Sequence, residues 1–439
     1  MILTCEKPYK YSFLIFVSAF LSIIAAQRLL LGSIYEYICL LIYLFFIYEI
    51  LRGNRGKANA YLIFSIFISV DIGEVYHSTP SVIRYILYIT ILGFFVINTK
   101  FDINKVKLYS IFLFIVVIKS LVSLLQDLPT SQPVLVGDII FLLFVFLSFC
   151  TAKSKLYRYD VCYKTLFIMM LFFLFGELIN SLFFDFGSYG YMSYDTTKSL
   201  IIFPFFYLLC KQNVSTIKVV IFIVTFYILM MYVTRMIVLS TIVVTSMLLL
   251  SKISVKTFFL SFLIIPVFFS SLFFDNIDMF YSYKATSSFV DLFNSNNLML
   301  ALENLDPVRA AEQKMLFMRN PLDILLGSGV GFGYFDSEFL FSFVNNNMAA
   351  FTNEEIASRM FFNFHDVWVD YGYRFGVLFF VVYFVFLISK AQSKDSDIRL
   401  SAATLLVLSL CSFYSTPGLL LISFFFLNLR YRILVNEEK

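Results

Sequence analysis

Charged residues are scarce in this 439-residue chain, and so are proline, histidine and tryptophan. Asp, Glu, Lys and Arg together make up 14% of the sequence, whereas 60% of the residues are hydrophobic and the mean hydropathy is +0.86. This composition excludes an ordinary soluble globular domain, in which charged residues account for about a quarter of the chain. The net charge of +4 is small and gives no indication of a nucleic-acid partner.

The sequence also has few of the features that bind metals or nucleotides. The two histidines, His77 and His365, are too far apart to show the close ligand spacing of a zinc site. The glycine run Gly327–Gly333 ends without the Lys-Ser/Thr pair of a nucleotide-binding loop. None of the six cysteines falls in the segment 275–366, so no disulfide framework is expected there. We therefore predict neither a metal nor a cofactor.

The apolar residues form runs that are long enough to cross a bilayer. A transmembrane helix takes about 20 such residues, and the runs predict an all-α polytopic membrane protein with roughly 12–14 spans. The clear runs are 11–31, 34–51, 60–79, 82–98, 108–125, 134–150, 161–183, 217–233, 236–251, 255–274 and 367–388, and the shorter ones are 199–210, 400–414 and 418–429.

Lysine and arginine concentrate in every second connector between these runs, as in Arg52–Lys57, Lys100–Lys107 and Lys153–Lys164. Because basic connectors stay on the cytoplasmic side, both termini are predicted inside and the long polar segment near the C-terminus outside. The predicted organisation is a transmembrane bundle over 1–274, a large external loop with short helices over 275–366, and further transmembrane helices with a cytoplasmic tail over 367–439.

Ionisable residues inside the predicted spans gather towards their outer ends, apart from Glu49. Such residues are costly in a bilayer and by default mark a pathway or a site. We predict a polar chamber that opens outward; the alternative is that each side chain separately reaches the outer interface. The set comprises Arg28, Glu36, Asp71, Glu74, Arg84, Lys119, Asp138, Glu177, Arg235, Asp370 and Arg374.

Two arginines at the outer side are candidates for phosphate binding. Arg235 lies between two apolar runs that leave no room for a loop, and a guanidinium suits bidentate capture of phosphate oxygens. Asp306 and Pro307 predict a helix start, which places Arg309 in a first turn that favours anions. The alternatives are a topological turn residue for Arg235 and a surface pair with Glu312 for Arg309.

The end of the loop carries the remaining candidate residues. The glycines of the run, Gly329 and Gly331 among them, let the backbone lie close to helices or to a ligand. His365 has the side chain whose ordinary pKa lies near neutrality, so it is a candidate general base; a structural histidine is the alternative. Asp366, Asp370 and Arg374 follow at helical spacing, and Asp370 can pair with Arg374. That stripe is either part of a substrate site or an ion pair that faces the bundle.

These segments, in this order, resemble the O-antigen polymerase and O-antigen ligase superfamily. The resemblance extends from Thr234-Arg235, which begins a middle helix, through the Arg309 helix and the glycine run, to His365-Asp366 and the span that follows with Gly372 and Gly376. The N-terminal half is similar only in hydropathy. The chain departs from the family at Asp366, where asparagine is frequent, and at Met236, where a small residue is common.

The resemblance implies a membrane-embedded glycosyltransferase of the C type, in the bacterial inner membrane with both termini cytoplasmic. Its implied substrates are glycans on undecaprenyl pyrophosphate at the periplasmic face, and its reaction needs no metal. Arg235 and Arg309 are expected to bind the pyrophosphate, and His365 is expected to activate or orient the acceptor. Gly329, Gly331, Asp366, Asp370 and Arg374 are further candidate substrate contacts. Candidate partners are the bilayer, a chain-length regulator and a flippase.

Three other functions stay open from the sequence. A ligase of the same superfamily would transfer the finished glycan to lipid A core, whereas a polymerase extends a lipid-linked repeat. The divergent and Phe-rich sequence favours the polymerase. A lipid-linked oligosaccharide flippase would have a similar number of spans, but short external loops and charges along a central cavity would be expected for it. A peptidoglycan-type polymerase is the third alternative.

Overall fold

A computed structural model describes part of the chain. It covers residues 12–26, 34–52, 60–61, 99–154, 159–183, 199–210, 235–250, 307–342, 351, 353–362, 364 and 367–410. The chain divides into two compact units, one of Met1–Phe94 with Lys155–Tyr232 and one of Phe95–Ser154 with Val233–Lys439. The predicted boundaries at 274/275 and 366/367 follow membrane topology rather than packing, and they stay predictions.

The described residues are mainly helical, which confirms the predicted helical fold. The helices are α1 (Ser12–Ala26), α2 (Ile34–Leu51), α3 (Ile103–Leu125), α4 (Gln132–Cys150), α5 (Tyr159–Phe183), α6 (Ser199–Cys210), α7 (Arg235–Leu250), α8 (Pro307–Phe317), α9 (Pro321–Leu326), α10 (Asn353–Ser358), α11 (Val367–Phe375), α12 (Val377–Ala391) and α13 (Ser396–Leu410). The short strands are β1 (Thr99–Phe101), β2 (Thr151–Ser154), β3 (Tyr334–Phe335) and β4 (Met360–Phe361), and their two small sheets were not predicted.

One helix among the described residues, α3, is long and apolar enough to cross a membrane, with a mean hydropathy of 2.4. Shorter apolar helical stretches are Val134–Leu143, Lys164–Gly176, Val377–Ala391 and Ile398–Val407. These helices coincide with predicted runs, whereas the predicted runs near 82–98, 217–233, 255–274 and 418–429 lie outside the described residues. The number of spans therefore stays a prediction.

In the first unit, α1 packs along α5, and α1 and α5 also contact α2 and α6 respectively. Its core is almost entirely apolar, with Phe46, Met169, Phe173 and Phe206 no more than 1% exposed. The rings of Phe167 and Tyr207 stack between α5 and α6 with their centroids 4.3 Å apart. Of the ionisable residues that the sequence singled out in the predicted spans, Glu36 and Glu49 lie on α2 and Glu177 lies on α5, and the Glu49 side chain is buried in this core.

The second unit contains the hairpin of α3 and α4. Asp102 caps α3 by accepting a hydrogen bond from the Asn104 N–H at 3.0 Å. At this end β1 pairs with β2 antiparallel, in a register that sets Lys100 opposite Lys153. The connector 126–131 closes the other end of the hairpin. Connectors predicted on the same side of the membrane are therefore at the same end.

The predicted run 367–388 is broken into two helices, α11 and α12. Gly376 has φ +89° and stands between them, while its N–H donates to the Gly372 carbonyl at 3.0 Å and closes α11. A Cβ on Gly376 would collide with the Leu325 carbonyl at the end of α9. The helix therefore breaks where α9 packs against it, a contact between distant segments that an apolar run does not reveal.

The polar loop that precedes α11 folds onto it. Val308, Ala311, Met315 and Leu316 of α8 form one apolar core, whose other members are Phe341, Phe351, Phe361, Phe364, Val369 and Tyr373. The pair β3–β4 joins residues 334–335 to 360–361 and carries part of this core. The described part of the loop is thus integrated with α11 rather than forming a domain of its own.

Candidate functional site

The glycine run lies against α3, α4 and α11. Backbone N–H groups of the run donate hydrogen bonds to oxygen atoms of other parts of the protein. The N–H groups of Gly329 and Gly331 donate to the Arg374 carbonyl at 2.9 Å and to Asp138 Oδ2 at 2.8 Å. Those of Ser328, Val330 and Gly333 donate to the Tyr373 carbonyl (2.8 Å), Ser120 Oγ (3.1 Å) and the Pro129 carbonyl (2.8 Å). The run is therefore a packed structural segment, and substrate contact by Gly329 or Gly331 stays a prediction.

Glycine is required at these positions by conformation and by space. Gly329 and Gly331 have φ +95° and +78°, values that residues with a side chain rarely adopt. A Cβ on Gly331 would lie 2.8 Å from Leu135 Cβ on α4, and one on Gly329 would collide with Ser120 on α3. The structure thus brings the run close to helices, one of the two uses predicted for these glycines.

The tip of the α3–α4 hairpin pairs directly with the glycine run. The Ser131 N–H donates to the Gly331 carbonyl at 3.0 Å, and Thr130 forms an isolated antiparallel bridge with Phe332. The Ser123 hydroxyl donates to the Ser328 carbonyl from the last turns of α3. Two segments that were both predicted to be external therefore meet at one end of the second unit.

Beneath this contact lies a buried cluster of three charges. Arg374 Nη1 donates to Asp138 Oδ1 at 2.9 Å, and Arg374 Nη2 donates to Asp370 Oδ1 at 2.8 Å. The side chains of Arg374 and Asp138 are 4% and 1% exposed, and that of Asp370 is 13% exposed. The predicted pair of Asp370 with Arg374 is confirmed. It faces the interior, and Arg374 has Asp138 as a second partner. A predicted role of the pair in substrate binding stays a prediction.

The same charged cluster holds the backbone that precedes His365. Arg374 Nη2 also donates to the Phe362 carbonyl. The Phe364 N–H donates to Asp370 Oδ1 at 3.3 Å. Asp370 and Arg374 both lie on α11, which follows His365 and Asp366 in the chain. The segment before His365 is therefore hydrogen-bonded to the helix that comes after it.

Arg319, which the sequence did not single out, fixes the other side of the run. Its Nη2 donates to Ser328 Oγ at 2.5 Å and its Nη1 to the Tyr373 carbonyl at 3.1 Å. The guanidinium also lies 4.2 Å from the centre of the Tyr373 ring, an arrangement that favours a cation. Burial lowers the pKa of Arg319, although Tyr373 and Asp323 oppose this effect.

Lys119 and Asp323 form an ion pair between α3 and α9. The distance from Lys119 Nζ to Asp323 Oδ1 is 2.5 Å, and the side chains are 12% and 22% exposed. The outer-side charges whose side chains the structure describes are Lys119, Asp138, Asp370 and Arg374, and all of them are paired. These four side chains therefore do not reach the interface separately, which was the alternative to the predicted polar chamber; the chamber itself stays a prediction.

Arg309 lies in the first turn of α8, which begins at Pro307 as predicted. The Arg309 side chain is half-buried, and Glu312, one turn later, is fully buried. The buried face of α8 packs against α11 through Met315 and Leu316. The predicted cap residue Asp306 lies outside the described residues.

The remaining predicted site residues are only partly described. Arg235 begins α7, as predicted for the middle helix, and α7 packs against α13. His365 and Asp366 lie outside the described residues, although Phe364 before them and α11 after them are described. Their predicted roles in acceptor activation and substrate binding stay predictions.

Arg359 lies at an exposed edge of the loop, beside a turn that contains Asp336 and Phe339. Asp336 builds a turn by accepting the N–H groups of Leu340 and Phe341, each at 2.9 Å. The turn presents Phe339, 59% exposed, and the Arg359 guanidinium lies 4.4 Å from the centre of its ring. Nearby, burial raises the pKa of Tyr334 to about 12, with Asp336 adding to the effect. The Tyr334 phenol is therefore neutral at physiological pH.

Within the described residues, no group of three His, Cys, Asp or Glu side chains is placed to hold a metal ion. His77 and His365 are both outside that part of the chain. The predicted independence of metals and cofactors therefore stays a prediction.

The sequence did contain a signal for the contacts of α3. Val116, Lys119, Ser120 and Ser123 follow one another at the spacing of one helical face, and three of them are polar within an apolar run. That face contacts the glycine run and α9. In a helix surrounded by lipid, a polar stripe indicates the side that faces protein.

The comparisons with known proteins add no relative. No family model matches the chain, and neither does any curated protein or solved structure.

Proposed function

We propose that the protein is a membrane-embedded polymerase that joins oligosaccharide repeat units carried on undecaprenyl pyrophosphate, at the periplasmic face of the bacterial inner membrane. The observation that carries this proposal is the packing of α8, which bears Arg309, on α11, which follows His365 in the chain. The glycine run bonds to α11 and also to α3 and α4. Three of the segments behind the superfamily resemblance, α8, the glycine run and α11, are therefore connected through α11.

The surface of α3 supports a membrane location. Along this helix Phe114, Val117, Leu121 and Leu124 are 53–65% exposed, whereas Tyr109, Val116 and Ser123 are no more than 4% exposed. On α12, Val381, Val382 and Val385 are also more than half exposed. Large apolar residues on the outside with charged residues inside are the arrangement expected in lipid.

The proposed reaction is a direct displacement at the anomeric carbon of the donor. A hydroxyl oxygen of the acceptor sugar forms the new bond to this carbon, while the bond from the carbon to the pyrophosphate oxygen breaks. The hydroxyl proton goes to His365, and undecaprenyl pyrophosphate leaves with the bonding electron pair. Arg309 and Arg235 would stabilise the negative charge that develops on the pyrophosphate, while His365 serves as general base.

Purified protein supplied with lipid-linked repeat units tests this proposal directly. We expect a ladder of lipid-linked chains on a gel, and we expect Arg309→Ala to abolish it because a charge-stabilising donor is lost. Lys314→Ala is the matched control, since it removes an exposed cation from the last turn of the same helix. Equal ladders from both variants would contradict the role of Arg309.

Two further assays on the purified protein separate the alternative functions. Transfer of a preformed lipid-linked polymer to lipid A core, with no elongation, would identify a ligase. Movement of lipid-linked units across liposome membranes, without any new glycosidic bond, would identify a flippase. Either result would overturn the polymerase proposal.

A further inference from the structure

We infer that Asp370 and Arg374 are positioning residues, which clamp the backbone on both sides of residue 363 and so set the place of His365. They were predicted from the sequence as substrate contacts. The catalytic consequence rests on the proposed function, in which His365 is the general base. The clamp itself rests only on contacts between described residues.

The clamp has two backbone contacts from one helix. Arg374 Nη2 donates to the Phe362 carbonyl, and Asp370 Oδ1 accepts the Phe364 N–H at 3.3 Å. Asp370 and Arg374 are one turn apart on α11 and bond to each other at 2.8 Å. A carbonyl and an N–H two residues apart are thus held by one ion pair, which restrains the chain immediately before His365.

Burial argues against direct substrate binding by this pair. The Arg374 side chain is 4% exposed, and its Nη atoms already donate to two carboxylates and a carbonyl. Asp138 anchors the pair from α4, where its second oxygen accepts the Gly331 N–H. The cluster therefore connects the segment before His365 to the glycine run, and substrate need not touch it.

The two carboxylates differ in how they use their oxygens, and the difference provides the test. Asp370 accepts both Arg374 Nη2 and the Phe364 N–H on Oδ1. Asp138 accepts Arg374 on Oδ1 and the Gly331 N–H on Oδ2. Asparagine keeps one acceptor oxygen. Asp370→Asn can therefore retain both of its bonds, whereas Asp138→Asn, with the same change in charge, must lose one.

Hydrogen exchange of the full-length protein, followed in peptides that resolve the Phe364 amide, measures the clamp without reference to activity. We expect Asp370→Ala to speed exchange at Phe364 by about tenfold, as loss of a hydrogen bond of about 1.4 kcal/mol would. Asp370→Asn should restore most of the protection. Asp138→Asn should affect the Gly331 amide more than the Phe364 amide. If Asp370→Ala does not accumulate, Asp370→Leu removes the same acceptor without leaving a large cavity.

The polymerisation assay then separates positioning from substrate binding. Positioning predicts that Asp370→Ala lowers kcat with little change in KM, and that Asp370→Asn recovers most of kcat. Protected Phe364 with lost activity in Asp370→Asn would show that the carboxylate acts on substrate, and would overturn the inference. Unprotected Phe364 in Asp370→Asn would overturn the clamp. A wild-type protein that forms no polymer would refute the proposed function, while the exchange data would still decide the clamp.

Discussion

The two ends of the α3–α4 hairpin are held in different ways. At one end, β1 and β2 flank the two helices directly and pair with each other. At the other end, Ser120, Ser123 and Asp138 bond to residues of the glycine run that lie 210, 205 and 193 positions away in the sequence. The first end is closed by local structure, whereas the second is closed by the late loop and is the candidate site.

Charge also has a different use at each end. The register of the strands sets Lys100 opposite Lys153, and both belong to the basic connectors that predict the cytoplasmic side. Towards the other end, Lys119 and Asp138 are paired and largely removed from solvent. Cations at the first end are expected to set orientation, while charges at the second connect elements of the fold.

The largest expected difference between the ends is accessibility from outside the cell. Gln126 and Lys107 are both exposed and stand near opposite ends of α3. In a variant without native cysteines, Gln126→Cys in intact cells should react with an impermeant thiol reagent, and Lys107→Cys should react only after the membrane is opened. This follows from the alternation of basic connectors. Labelling of Lys107→Cys alone would invert the topology and place the candidate site in the cytoplasm.

Removing the central cation should have the largest effect on stability. Arg374→Met leaves Asp138 and Asp370 buried without their shared partner, and loss of one member of a buried ion pair costs about 3–5 kcal/mol. Thermal unfolding of the purified protein in detergent measures this cost. Arg359→Met is the comparison, because that guanidinium stacks on the exposed Phe339 ring and contributes about 1 kcal/mol.

Equal losses in the two arginine variants would mean that burial of the charged cluster does not determine stability at this end of the unit. A triple variant sharpens the test further. Adding Asp370→Asn and Asp138→Asn to Arg374→Met removes the unpaired charges, so part of the lost stability should return. No recovery would assign the loss to packing of the guanidinium instead.

The sequence predicted several of the described helices and some local features of the candidate site correctly. Hydrophobic runs located α3 and α4 to within a few residues, and spacing on one helix predicted the Asp370–Arg374 pair. It did not predict the break at Gly376, the partner Asp138 or the role of Arg319. Each of these depends on a contact with a distant segment, and local patterns carry no information on which distant segments meet.

Two glycine replacements on facing segments test the close packing at the site. Gly331→Ala should destabilise the protein by about 1–3 kcal/mol, because its φ is +78° and a Cβ would press on Leu135. Gly137 lies on α4, and a Cβ added there would meet nothing within 4 Å, so Gly137→Ala should stabilise by about 0.5–1 kcal/mol. Thermal unfolding of both variants gives the comparison. A harmless Gly331→Ala would show that the run does not lie against α4.

The smallest expected effect concerns the two lysines of α3. Lys119→Met removes the ion pair with Asp323. The Asp323 side chain is 22% exposed, so its carboxylate can be hydrated when the lysine is absent. The cost should therefore be about 1 kcal/mol, between the values for exposed and fully buried pairs. Lys107→Met, near the other end of α3, should change stability by less than about 0.5 kcal/mol.

Because the pair joins α3 to α9, which precedes the glycine run, Lys119→Met should also speed amide exchange at Gly327, whose N–H bonds to the Asp323 carbonyl at 2.9 Å. Unchanged exchange there, with an equal response from both lysine variants, would mean that the ion pair does not hold α9 in place.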